Sequence, residues 1–207
     1  QILAALHDLE TFVAAFGRLL GDRALDPAFS ALALALALPS EGYLLERMSP
    51  ADPAALRAAL MHLMRDLGQR FLNDWRDTHA ACRIDGEYRY HPADAGKRAL
   101  GNLCLRYLCA AGTNTGRQLA QRQFDAANDM TVCLGALTAQ VQSPAPERED
   151  SLAAFHARYA DDALVHAREL DVLVVDGAHG GLAGGEVERV AVQLGVQAHV
   201  GEHVRQR

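Results

Sequence analysis

Lysine is almost missing from this 207-residue chain: Lys97 is the only one, so arginine carries nearly all of the positive charge. The arginines are scattered and form no stripe, and 20 Lys+Arg stand against 26 Asp+Glu for a net charge of −6. That is the wrong sign for a protein that gains affinity by neutralising phosphates, so no nucleic-acid partner is expected. Aromatic residues are scarce at 6%, and the 50% hydrophobic fraction is carried by Ala and Leu, which lose least on entering a helix. There is no CxxC spacing among Cys82, Cys104, Cys109 and Cys133, which lie in apolar helical surroundings. They read as reduced, buried thiols rather than a disulfide frame or zinc knuckle. No stretch reaches the roughly 18 uninterrupted apolar residues of a membrane span, and Ala31 to Leu38 is too short. Residues Gln1 to Leu6 hold neither Met nor a basic segment, so no signal peptide is read and a cytoplasmic placement is expected. The start looks like a cut inside a longer chain.

What is present is helical periodicity. Ile2, Leu6, Leu9, Val13, Phe16 and Leu20 recur at three- and four-residue steps, and Gly21-Asp22 stops the run. Asp26-Pro27 supplies a capping carboxylate and a proline at the first helical position, where a missing N–H costs nothing. The strict Leu/Ala alternation that follows scores as strand on a period of two, but both residues favour helix and the flanks carry helix caps. Pro39-Ser40-Glu41 ends that helix and caps a short one through Arg47. Asp52-Pro53 repeats the cap for a helix reaching about Cys82, with Leu56, Leu60, Leu63, Leu67, Phe71 and Trp75 on its face. A polar connector from Arg83 to Pro92, with the turn dipeptide Asp85-Gly86, leads to a helical face of Ala95, Ala99, Leu103, Tyr107 and Leu108. Gly112 to Gly116 breaks it. Further helices are expected over 116–126, 130–142 and 151–160, separated by Asn128-Asp129 and by the linker Pro144 to Asp150. The fold class is all-α: an α-solenoid-like array of antiparallel helix pairs over 1–165.

The tail, 166–207, differs in character. Seven glycines fall between Gly177 and Gly201, and neither lysine nor an aromatic residue occurs. Leu170 to Val175 reads as a strand, leading through Gly177, Gly180, Gly181, Gly184 and Gly185 into a helix at Glu186. Strand, glycine loop and helix form a phosphate-binding layout, but the spacing is neither GxGxxG nor GxxxxGK[ST]. His199-Val200-Gly201-Glu202-His203 matches the inverted zinc-protease pattern HxxEH. A glycine inside the would-be helix and no downstream third ligand favour a solvated tail instead. Elsewhere there is no HExxH and no GxSxG. His7, His62, His79, His91 and His156 are isolated and suit surface or capping positions. Glu41 and Glu46 flank Tyr43 like paired carboxylates, yet Glu41 at a helix start more simply complements the dipole.

Two segments are specific beyond periodicity. Leu38-Pro39-Ser40-Glu41-Gly42-Tyr43-Leu44-Leu45-Glu46-Arg47-Met48 resembles the "LPSE-x-YL-x-E-x-M" segment of bacterial aminopeptidase N, the zinc-dependent alanyl aminopeptidase family. Ala95 to Leu108 is similar to that family's "AGRRALRNLCLxYL" helix, and Asp52-Pro53, Asp74-Trp75 and Phe124-Asp125-Ala126 fall in family order. The resemblance covers 1–165. It implies the C-terminal helical domain that caps a thermolysin-like catalytic domain, closing a chamber over the active site. That neighbouring catalytic domain and peptide substrates are the implied partners. Zinc belongs to the missing catalytic domain with its HExxH helix and GxMEN loop, and no residue of this chain inherits a zinc-binding or catalytic role. The fragment is expected to be inactive alone; the alternative is a stand-alone α-solenoid interaction module.

The chain departs from the family twice. The family's "DNMTDRLAAL" stands here as Asn128-Asp129-Met130-Thr131-Val132-Cys133-Leu134-Gly135-Ala136-Leu137, which implies an altered capping or ion-pair contact. After Val165 the family continues into a "DKW" helix, whereas this chain enters its glycine-rich tail. A reading-frame slip in a GC-rich gene gives that pattern, and translation of the other frames past Val165 tests it; a disordered tail is the other account.

Overall fold

The computed structural model describes residues 2–143 and 148–159, with side chains from residue 8 onward. Among the described residues all regular secondary structure is helix. The elements are α1 (Ile2–Gly21), α2 (Pro27–Leu36), α3 (Glu41–Leu45), α4 (Pro53–Arg70), α5 (Leu72–Ala81), α6 (Pro92–Ala110), α7 (Asn114–Ala126), α8 (Met130–Val141) and α9 (Arg148–Arg158). They fall in two compact units, Gln1–Ala145 with α1 to α8 and Pro146–Arg207 with α9. The strand-like run at 170–175, the glycine loop and the HxxEH segment lie outside the described residues.

Short polar side chains start these helices by satisfying backbone N–H groups that lack an intrahelical acceptor. Asp26 accepts from the N–H of Ala28 (2.9 Å) and Phe29 (3.1 Å), and Asp52 from Ala55 (2.9 Å). Ser40 accepts from Tyr43, Thr113 from Gly116 and Asp129 from Val132. His91 Nδ1 accepts from Ala93, the capping role its isolation suggested. The Leu/Ala stretch is helix, as its caps indicate.

Pro27–Leu45 has mean hydropathy 1.5 over a membrane-length window. The backbone breaks between α2 and α3, however, with Pro39 and Ser40 outside either helix. At about 1.5 Å per residue, α2 alone covers roughly half of a bilayer's hydrocarbon core. The apolar composition therefore belongs to two short helices, not to one spanning helix.

Three expectations are corrected. The helix expected from Asp52 to about Cys82 is two helices, broken at Phe71 (φ −108°, ψ 30°). At the break the Leu67 carbonyl accepts from both the Phe71 N–H and the Trp75 indole Nε1–H, each at 3.1 Å. The freed Phe71 ring lies over Gly17, where a Cβ would come within 2.6 Å of it. Second, α6 does not bury one face: Gly96, Arg98, Leu100, Gly101, Leu103, Cys104, Leu105, Tyr107, Leu108 and Cys109 are all buried, while Ala99 of the expected face is exposed. It touches α2, α4, α5, α7 and α8 and is the axis of the first unit. Third, α9 starts at Arg148, so residues Arg148 to Asp150 of the charged run placed in the linker are helix. Glu149 and Asp150 occupy its first turn and His156 and Arg158 its last, each complementing the helix dipole.

The core centres on Trp75 and Tyr107, stacked with centroids 4.2 Å apart and planes 6° from parallel. Phe16 meets both edge-on at 5.8 and 5.9 Å, and Leu34, Leu67, Leu103 and Leu108 surround them. Two glycines let neighbouring helices reach the α6 backbone: a Cβ on Gly68 would collide with the Tyr107 carbonyl, and one on Gly116 with the Leu108 carbonyl.

All four cysteines are buried and none is disulfide-bonded. Burial pushes the Cys82 and Cys104 thiols up and that of Cys109 up to about 12, and it raises the Tyr107 phenol to about 12. Since the thiolate is the reactive species, a disulfide reagent at pH 8 should leave the native thiols largely unmodified and titrate all four in guanidinium. The native state also keeps protons that the unfolded chain gives up. Stability should therefore fall as pH rises above about 8.5, readable as a lower urea midpoint.

Candidate functional site

Two features of the first unit are candidates: a cavity bordered by charged and amide side chains, and an uncovered apolar helix face. The cavity, about 730 Å³, lies where the Arg83–Tyr88 connector passes the sides of α5, α6, α7 and α8. A relay of amides lines it. His79 Nε2 and Gln123 Oε1 are 2.9 Å apart, Gln123 Nε2 donates to Asn102 Oδ1 at 2.9 Å, and Asn102 Nδ2 donates to the Thr131 carbonyl at 3.0 Å. Gly135 makes room for the Asn102 amide, which any Cβ there would strike. One hydrogen-bonded chain thus ties α5, α7, α6 and the start of α8 together.

The charged groups around the cavity largely serve one another. Arg83 Nε donates to Asp85 at 2.8 Å, and Arg98 Nε to Asp129 Oδ2 at 3.3 Å. The second pair is nearly dry, with side chains 6% and 8% exposed, and the Arg98 guanidinium also lies 4.7 Å from the Tyr88 ring centroid. Asn128 Nδ2 donates to the Gly86 carbonyl, holding the connector where Gly86 turns with φ 97°. The exchanged Asn128-Asp129 order therefore has a visible result. Asp129 caps α8 and pairs with α6, and Asn128 secures the connector.

His79 is bonded to an amide rather than to an acid or a nucleophile. The Cys82 thiol beside it in the cavity wall is pushed up by burial, the opposite of an activated nucleophile. Glu41 is not half of a carboxylate pair: it accepts from Arg57 Nη1 at 3.1 Å, linking α3 to α4. Among the described residues no group of three or more His, Cys, Asp or Glu side chains could hold a metal ion. A zinc ion does not fit the residues described, and His199, Glu202 and His203 lie outside them.

The second feature is α2, apolar but for the buried Ser30. Ser30, Ala31 and Leu34 are buried, and the helix lies so close on α6 that a Cβ on Gly96 would come within 2.8 Å of the Ala28 nitrogen. The other side shows Phe29, Leu32 and Leu36 at 55%, 59% and 72% exposure. Their spacing of three and four residues makes one stripe. Sequence periodicity missed it because alternating Leu and Ala fills both sides of a helix. The usable signal was the absence of any charged residue between Pro27 and Leu38.

Comparison with known proteins accounts for most of the chain. The family model described as "Domain of unknown function (DUF3458_C) ARM repeats" matches residues 2–180, beyond the point at which the quoted motifs end. Aminopeptidase N of Caulobacter vibrioides is 39% identical over 158 residues, 75% of this chain and 18% of that protein. Aminopeptidase N of Escherichia coli is 32% identical over 151 residues, 73% of this chain and 17% of that protein. The chain thus spans about a fifth of the curated relatives it matches. Among solved structures, that of Legionella pneumophila aminopeptidase A in complex with aspartic acid aligns with a TM-score of 0.63 at 20% identity. It covers 78% of this chain and 20% of that one, a likeness that supports the helical fold.

Proposed function

Because the chain belongs to the family of DUF3458_C ARM repeats and matches aminopeptidase N over most of its length, we propose that it is the helical domain capping the active-site chamber of a zinc-dependent aminopeptidase. The observation that carries this reading is the 39% identity over 158 residues with a protein more than five times as long as the matched part. In such an enzyme the catalytic part would hold zinc, which would supply Lewis-acid activation of a water. The residues described here contribute shape: α6 and the helices around it form a stiff wall, with the Arg98–Asp129 pair and the amide relay fixing the side that α7 and α8 add. Partners in this reading are the catalytic part of the same polypeptide and peptide substrates, and the cytoplasm is its location. The exposed stripe on α2 also suits a stand-alone interaction module, and the same experiment separates the two.

The chain alone, supplied with zinc, should not hydrolyse an alanyl chromogenic amide. Grafted into the Caulobacter vibrioides enzyme in place of the matching 158 residues, it should support hydrolysis to within about an order of magnitude of the parent rate. Zinc-dependent turnover by the chain alone, or a folded but inactive graft, would count against the capping role.

A further inference from the structure

We infer that the exposed stripe of α2, Phe29, Leu32 and Leu36, is the face on which the preceding part of a full-length aminopeptidase seats this domain. The inference rests on the capping reading and names the surface that reading leaves open. A helix apolar on every side is stable in water only when it is enclosed. In α2 one side is enclosed by α6, and the other side has no covering among the described residues.

Area argues for a tethered occupant over a second copy. Taking about 150–250 Å² for a large apolar side chain, the three residues expose roughly 300 Å². That is well short of the roughly 800 Å² per partner that holds a free dimer together. It suffices for a domain on the same chain, which arrives at an effective concentration in the millimolar range. The matched relatives supply such a domain, since about four fifths of their length lies outside the segment shared with this chain. The stripe also carries no charge, so the occupant should present an apolar ridge or groove rather than an acidic or basic patch.

Thiol labelling tests the assignment, because the four native cysteines are buried. Leu32→Cys and Leu36→Cys, placed separately, should react rapidly with a maleimide in the 207-residue chain. In the graft described above they should react at least tenfold more slowly, as read peptide by peptide in a mass spectrometer. Equal rates in the two settings overturn the docking face, even if the graft hydrolyses peptides and the capping role stands. Slow labelling of the isolated chain together with a dimer in sedimentation also overturns it, since a second copy then holds the stripe. Protection in an inactive graft supports the docking face while removing the capping role. Should the graft not fold, cysteines at the aligned positions of intact Caulobacter vibrioides aminopeptidase N provide the same comparison: protection supports the assignment and free labelling overturns it.

Discussion

Replacing Trp75 with alanine is expected to cost about 3–5 kcal/mol, the range for removing a fully buried large aromatic side chain. Three losses combine. The indole is 0% exposed, so its whole apolar surface and the space it fills are forfeited. The stack on Tyr107 at 4.2 Å and the edge contact with Phe16 go with it, worth about 0.5–1.5 kcal/mol for an aromatic pair beyond its area. The bond from Nε1 to the Leu67 carbonyl is also lost. That carbonyl still accepts from the Phe71 N–H, so no buried acceptor is orphaned. Trp75→Phe keeps the stacking surface and should cost nearer 1 kcal/mol. Circular dichroism in urea is the suitable measurement, because Trp75 is the only tryptophan and its fluorescence leaves with it. A loss below about 1 kcal/mol for the alanine variant would show that Trp75 is not the centre of this core.

The second large effect is at Asp129. Its alanine variant should lose about 3–5 kcal/mol, chiefly because the Arg98 charge stays in a nearly dry site without its partner. Part of the loss is the cap on α8, typically about 1 kcal/mol. Asp129→Asn separates the two, since an amide oxygen can still accept from the Val132 N–H. Pairing Arg98→Met with Asp129→Asn removes both charges and should regain much of the stability lost by Asp129→Asn alone. A double-mutant cycle reads the coupling directly. Simple additivity would mean that the 3.3 Å contact between α6 and α8 contributes nothing.

These two sites show how unevenly structure can be read from sequence. Cap residues at Asp26, Ser40 and Asp52 were legible because each acts on N–H groups two or three residues away. The break at Phe71 was not. Its neighbours form good helix, and what marks the break, the Trp75 indole on the Leu67 carbonyl and the Phe71 ring against Gly17 of α1, is tertiary information. The central position of α6 had a faint signal in Gly96, Gly101, Cys104 and Cys109, small or apolar residues on sides that a one-faced helix would make polar. The aminopeptidase resemblance was legible because segments such as Leu38 to Met48 are specific in ways periodicity is not. The ion pair of Arg98 with Asp129 was half legible: the exchanged Asn128-Asp129 order pointed to an altered contact, but its partner lies on another helix.

The enclosed position of α6 bears on how the unit is made. A ribosome releases α2 long before α6 and α8, so only α1 is available to pack on it when it emerges. The contacts of α2 with α6 close only after α6 is synthesised, and α8 must follow before the other side of α6 is sealed. Until then the nascent chain displays leucine-rich surface, the condition in which chaperones engage and aggregation competes with folding. The stripe of Phe29, Leu32 and Leu36 stays uncovered longest, and a domain already folded upstream would be the first surface within its reach.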